Sequence, residues 1–288
     1  MKQNTDKMRF INTTLILLIG LSLHIGPLQS QNRFQLPQEI REVSGLYRAS
    51  ADSMWWHNDS GDGPFIFLTN GRGELLDKRT LSPAQAYDWE DMTADADSHI
   101  YVGDFGDNRF RRNNLKVYRY HLKTEKVDSI LFDYPNQEHY NVEAFFWYKD
   151  SLHLFTKSRM HKKPLPTYHF VMPAAPGTYT ATLRDSFYIH KRVVTAAAVH
   201  PASGRMVLLA YYYKKRLGFI PYSAANIYCF SQYPEGHFLQ GKMRKRRISG
   251  IVATQYESID FITPDRIWVA SEQTLFIKPK AKKVRWKN

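Results

Sequence analysis

The sequence predicts an all-β fold, a β-propeller of five four-stranded blades with six as the alternative, and three observations predict it. A polar residue followed by a short apolar strand, a turn and a second apolar strand recurs five times. The spacing is roughly 50 residues, slightly long for the roughly 40–50 of a four-stranded blade. The chain is 43% hydrophobic and 14% aromatic, and aromatic side chains suit the half-buried surface of short strands. No long stretch carries helical periodicity, whereas Asn-Gly and Asp-Gly dipeptides sit between apolar runs as hairpin turns do.

The N-terminus reads as an export signal spanning 1–30. Lys2, Lys7 and Arg9 precede an apolar run from Ile11 to Ile25, and Leu28-Gln29-Ser30 ends in a small residue. That run is short for a membrane span and no second one follows, so the mature chain is expected to be secreted or periplasmic, without a transmembrane span. No Cys follows the run, which argues against a lipid anchor, and the lone Cys229 forms no internal disulfide. Residues 31–288 are read as a single propeller domain with a basic C-terminal tail, a monomer.

In the first repeat the strands are expected at Leu46 to Ala49, Ser53 to His57, Phe65 to Thr69 and Glu74 to Leu81. The second repeat offers Ile100 to Val102, Leu115 to Tyr120 and Ser129 to Tyr134. The fifth runs out after Ile267 to Ala270 and Thr274 to Ile277, so its outer strand is expected from residues 32–40, closing the ring.

The formal net charge is +13. Much of it lies in Lys242-Met243-Arg244-Lys245-Arg246-Arg247 and in the tail from Lys278 to Lys287. Such runs suit anionic lipid or nucleic acid. They are read here as a solvated strand edge and a basic tail, since alternating basic residues also guard an edge strand against aggregation. No nucleic acid partner is expected.

In a propeller the innermost strands surround one axis, so the residues opening them share a central region. These openers are Glu42 with Ser44, then Glu90, Glu143, Thr195 and Glu257. Two carboxylates about 4 Å apart repel by roughly 4 kcal/mol at an effective dielectric near 20, so protons or a cation must relieve the crowding. Oxygen ligands without Cys or recurring His point to a hard cation, Ca²⁺. The bland reading is that these side chains cap backbone N–H groups or line a wet channel.

The ends of the second strands are also polar and are expected on the same face. Asn58, Asp59 and Asp62 lie in the first, and Asp104, Asp107 and Asn108 in the second. Lys157 and Arg159 follow in the third, Tyr211 in the fourth and Glu272 in the fifth. Carboxylates and cations so placed suit an anionic small molecule, a polymer or a partner protein, with Asp59, Asp104, Lys157 and Arg159 as catalytic candidates. Turn chemistry alone also explains Asp, Asn and Gly there. Phosphate-loop, zinc-protease and nucleophile-elbow patterns are lacking. Trp55-Trp56 and Trp147 read as core and rim aromatics.

Several segments resemble those of calcium-activated nucleotidases, the apyrase family, whose five-bladed propeller surrounds a central Ca²⁺. They are Ser44-Gly45-Leu46, Trp89-Glu90, Glu143-Ala144, Thr195-Ala196 and Tyr256-Glu257-Ser258-Ile259-Asp260-Phe261-Ile262. Tyr101-Val102-Gly103 and Leu154-Phe155-Thr156-Lys157-Ser158-Arg159 are similar to strand ends on that family's active face. Gly45 stands where the family places an acid, and the family's acidic segment before the first blade has no counterpart. The strings Asp88-Trp89-Glu90-Asp91 and Gly103-Asp104-Phe105-Gly106-Asp107-Asn108 also resemble a group of bacterial secreted propellers without an assigned activity. Two function classes follow: a module binding a ligand or partner on its polar face, and a metal-dependent hydrolase of phosphoanhydride or other ester bonds.

Overall fold

A computed structural model describes residues 31–157, 165–216, 220–248, 254–274 and 277–286. The leader lies outside them, as does Arg159. Strand β1 (Arg33–Gln35) precedes the blades. Blade one is β2 (Val43–Arg48), β3 (Ser53–Asn58), β4 (Phe65–Asn70) and β5 (Leu75–Thr80). Blade two is β6 (Trp89–Ala94), β7 (His99–Asp104), β8 (Lys116–His121) and β9 (Val127–Asp133). Blade three is β10 (Val142–Tyr148), β11 (Ser151–Thr156) and β12 (Thr167–Pro173), completed after β13 (Gly177–Thr180) by β14 (Thr182–Phe187). Blade four is β15 (Val193–Val199), β16 (Met206–Arg216), β17 (Ile220–Ser231) and β18 (Lys242–Arg247). Blade five is β19 (Tyr256–Thr263), β20 (Arg266–Ser271) and β21 (Lys280–Arg285), with β1 as its outer strand.

The ring therefore has five blades, and the N-terminal strand closes it as the sequence suggests. Two details differ from expectation. Thr274 and Ile277 make an isolated bridge rather than a strand, so the third strand of blade five is β21. The residues read as a solvated basic tail are that strand, paired to β20 on one side and β1 on the other. Its Ala281 and Val284 are buried, which anchors it in spite of the intervening lysines. In addition, β13 leaves blade three to pair in parallel with β9, giving blade two a fifth strand.

Five buried apolar clusters fill the five spaces between neighbouring blades. Because successive side chains in a strand point to opposite faces, adjacent residues serve different clusters. Trp56 packs toward blade five with Phe34 and Trp268, whereas Trp55 packs toward blade two with Trp89. Innermost strands are covered on both faces, which is why β15 is buried along its entire length and shows no alternation.

Blade three carries a buried polar chain. His153 Nδ1–H donates to His169 Nε2 at 2.9 Å, and His169 Nδ1–H donates to Asp185 Oδ1 at 2.7 Å. Phe146 and Phe155 stack on these rings and Phe238 meets them edge-on. Burial, reinforced by His169 and Arg184, pushes His153 down to about 3, and burial lowers His169 against the pull of Asp185. The folded state thus prefers a neutral His153. Its contribution is complete above the ordinary value of 6.5 and drains away as pH falls toward about 3. Denaturation measured between those limits should show an acid-side loss of stability that is shallower in His153→Gln. An identical slope in the variant would contradict this.

Candidate functional site

Each innermost strand carries an irregularity in its pairing at the same end, and β19 has a second between Phe261 and Thr263. The register shifts between Val43 and Gly45, Trp89 and Met92, Val142 and Ala144, Val194 and Ala196, and Tyr256 and Ser258. The residues passed over are Ser44, Glu90 with Asp91, Glu143, Thr195 and Glu257. A β-bulge leaves its extra residue out of the ladder and re-aims it. These are the residues the sequence marks as openers, apart from Asp91 and Glu42.

A second repeated bond builds the rim. The backbone N–H beyond the second strand donates to a carbonyl two residues before the opener: Asp59 to Glu42, Gly106 to Asp88, Lys157 to Asn141, and Glu272 to Gln255. Asp59, Gly106, Lys157 and Glu272 consequently occupy equivalent places around the channel mouth. The glycine at this position has a steric cause. A β-carbon on Gly106 would lie 2.1 Å from Glu90 Oε1 and 2.5 Å from Asp88 Oδ2, so two carboxyl groups flank the space a side chain would need.

Lys157 brings a cation into this acidic end. Its ammonium donates to Glu143 Oε2 at 2.6 Å, while Asn141 Nδ2 donates to Glu143 Oε1 at 2.8 Å. Burial opposes the lysine's charge, but Glu143, Tyr211, Glu90 and Glu257 more than offset it and hold the ammonium protonated. Glu90 is held well above the ordinary carboxyl range by burial, then by Glu143, Asp59 and Asp88, with Lys157 opposing. Glu257 is raised likewise by burial, then by Glu272, Glu143 and Asp59, again against Lys157. At the rim, burial and Asp59 push Glu272 up to about 7, and burial, Asp59 and Glu143 push Asp88 up to about 6. Burial and the same glutamates raise the Tyr211 hydroxyl.

The six expected metal ligands do not converge as a set. Ser44 Oγ donates to Glu90 O, and Thr195 Oγ1 donates to Tyr256 O at 3.0 Å. Ser258 Oγ donates to Ser44 O at 2.9 Å. These hydroxyls therefore tie neighbouring innermost strands together. Glu42 sits on the exposed mouth, 4.0 Å from Arg41. Among the described residues, no three acidic, imidazole or thiol groups come close enough to hold a metal ion. One of the six, Glu143, is engaged by the Lys157 ammonium.

Other expected residues support the rim. Asn58 Nδ2 donates to Glu39 O at 2.7 Å and to Asp62 Oδ2, and its Oδ1 accepts from Glu42 N. Asp104 is buried, receives Arg112 at 2.9 Å and leaves Oδ2 without a partner. Asp107 N donates to Asn141 Oδ1 at 2.6 Å, and Asn108 Oδ1 accepts from Asn141. The chain Asp88, Asp104, Arg112, Asp107 and Asn141 thereby positions Glu143. Sequence reasoning overlooked Asp88, Asp91, Arg112 and Asn141. Asp88 and Asp91 flank the opener in the Asp-Trp-Glu-Asp string, and that was the available signal. Asp91 is buried deeper, where Oδ2 accepts from Phe145 N and Ala197 N of two other blades. Beyond it the opposite end of the channel opens into a cavity of about 340 Å³, lined by Tyr47, Trp147, His200 and Asp260 among others.

No protein-family profile matches the chain, and no curated protein matches it. Solved structures do. An α-L-arabinofuranosidase from Lactobacillus brevis superposes with a TM-score of 0.53 at 9% identity, covering 88% of this chain and 94% of that one. A mannose phosphorylase from Leishmania mexicana gives a TM-score of 0.49 at 11% identity, covering 90% and 89%. At these identities the likeness is one of fold: this chain is a five-bladed β-propeller. The expected likeness to nucleotidases and to the secreted propellers rests on the short strings alone.

A carboxyl group whose value is raised by folding disfavours the fold as pH climbs from 4.5, its ordinary value, toward the raised one. Glu90→Gln removes that penalty. The variant should be more stable than wild type at pH 8, with the gain fading toward pH 4 in denaturant titrations. A loss of stability at pH 8 would contradict the protonation assigned to Glu90.

Proposed function

We propose that the polar mouth of the channel binds a neutral, polyhydroxylated ligand of the carbohydrate class and uses Glu272 and Asp88 for acid–base hydrolysis. The observation that carries this reading is two rim carboxyls, Glu272 and Asp88, that burial and the nearby Asp59 push up to about 7 and about 6. A general acid works best with a value near the operating pH. Two carboxyls held at different values by their surroundings are the usual means of dividing acid and base roles.

Electrostatics supports the choice of ligand. Among the described residues, Asp59, Asp88, Glu90, Glu143, Glu257 and Glu272 act on one another here, with Lys157 opposing them at Glu90, Glu257 and Glu272 and Arg112 at Asp88. The carboxyls among the described residues favour a neutral ligand over an anionic one. Hydroxyl groups suit this surrounding, since carboxyls both donate to and accept from them. Lys157, by holding Glu143, and Arg112, by holding Asp104, position the floor beneath the ligand. The arabinofuranosidase is a glycosidase by name, and its likeness supports the scaffold alone.

Purified protein screened against neutral aryl glycosides and oligosaccharides is expected to bind or turn over at least one class. For such a substrate Glu272→Gln should lower kcat by at least about 100-fold and abolish the limb of the pH profile near 7. Neither binding nor turnover across the panel would overturn the reading. So would calcium-dependent phosphate release from a nucleoside diphosphate.

A further inference from the structure

The two basic runs of the sequence, far apart along the chain, meet in the structure. In β18 the register pairs Lys242 with Ser231, Arg244 with Cys229 and Arg246 with Ile227. Cys229 and Ile227 belong to the apolar cluster shared by blades four and five, so Lys242, Arg244 and Arg246 lie on the side of β18 that faces blade five. In β21 it is Val284 that enters the same cluster, whereas Ala281 enters the cluster toward blade one. Lys280 and Lys282 therefore point with Val284 toward blade four. Arg33 of β1 pairs with Lys282, and its neighbour Phe34 points toward blade one, which turns Arg33 to the blade-four side.

The result is a cleft at the edge of the propeller whose blade-four wall is basic and whose blade-five side presents Trp286, with Lys282 close enough for Arg246 to act on it. One part, about 190 Å³, is lined by Arg205, Lys242, Arg244, Cys229 and Trp286 with Ser231 and Gln232. An adjoining part is lined by Arg244, Lys245, Arg246 and Trp286. Among the described residues, no carboxylate lines either part. Among the described residues, none of Arg33, Lys242, Arg244, Arg246, Lys280 and Lys282 makes an ion pair.

The crowding has an electrostatic signature. Lys282 donates to Ile248 O at 2.6 Å and lies over the Tyr256 ring at 4.5 Å, so it is held in place rather than free to swing into water. Burial, then Lys280, Arg33 and Arg246, pushes it down to about 8. Lys280 is lowered by burial and Arg33. Every charge acting on these two lysines is positive. A solvated guard strand spreads its charges apart in water, whereas here strands of two blades turn theirs toward one another.

We propose that the cleft between blades four and five is a binding site for a linear polyanion bearing phosphate or sulfate groups along its length. A row of cations along β18, with Lys282 beside its end, matches a chain with repeating charges better than a single small anion. Arginines at 244 and 246 give the planar forks that hold tetrahedral oxyanions. The site lies at the propeller edge, and the carboxyl-lined channel is at its axis, so the inference stands independently of the carbohydrate reading.

The test uses inorganic polyphosphate and heparin oligosaccharide as probes, with inorganic phosphate as the single-anion control, by calorimetry on the whole mature protein. At least one polymer should bind far more tightly than free phosphate, and its affinity should fall at least about tenfold between about 50 and about 200 mM salt. Arg244→Glu with Arg246→Glu should weaken that binding at least tenfold. Lys242→Glu with Lys123→Glu separates its causes: the first lies in the cleft, and the second changes net charge equally from an exposed site elsewhere. Both cleft arginines lie on an outer strand, and circular dichroism verifies that the variants fold. A sulfate or phosphate preference between the polymers identifies the source of the oxyanion. Absence of polymer binding would overturn the proposal, as would equal weakening by Lys123→Glu and Lys242→Glu.

Discussion

Five strands converging on one axis leave little room at the centre, and this molecule fills that room with charge that has to be neutralised. Every innermost strand bulges at the same level and turns a polar residue inward. Two of those residues, Ser44 and Thr195, use their hydroxyls to join adjacent blades. The other three bulges bring Glu90, Glu143 and Glu257, whose like charges oppose ionisation of the set. The fold resolves the conflict unevenly. Glu143 is ion-paired to Lys157, and Glu90 and Glu257 are held toward the protonated form. Removing the lysine from such a buried pair leaves an uncompensated carboxylate, an imbalance of about 3–5 kcal/mol in comparable pairs. The rim values of Glu272 and Asp88, and with them the proposed acid–base chemistry, follow from that same crowding.

The propeller itself was legible in the sequence because its repeat is periodic and its turns are chemical. Asn70-Gly71-Arg72-Gly73 marks the hairpin between β4 and β5, and Glu90, Glu143 and Glu257 mark three of the five innermost strands. The closing strand was legible from what the fifth repeat lacked. Its third strand was misplaced at Thr274 to Ile277 because Lys280–Arg285 looks like a charged tail. Only two buried side chains in that strand, Ala281 and Val284, declare it. The strand added by β13 depends on a contact between blades that no local pattern encodes.

The site was half legible. Residue type and spacing brought the right openers together, since bulges recur where the repeat does. What they do there depends on a partner one strand away. The lysine at 157 was read as a rim cation for an anionic ligand, but its backbone bond to Asn141 turns it onto Glu143. A resident ammonium already pairs with one carboxylate of the set that suggested calcium. Similarly, the basic segments read separately as harmless become a single cleft only when the ring closes and sets β18 beside β21. The molecule thus places acid at its axis and base at one edge, a separation that its net charge of +13 conceals.

The central claim is that Lys157 neutralises Glu143 at the channel mouth, and a double-mutant cycle in denaturant tests it most directly. Lys157→Met, Glu143→Gln and the double variant would be unfolded at pH 7.5, each with chelator and again with excess Ca²⁺. The account predicts that Lys157→Met costs about 3 kcal/mol, that the cost shrinks in the Glu143→Gln background, and that calcium leaves wild type unmoved. A wild type stabilised by calcium, with Lys157→Met no less stable than wild type, would contradict it.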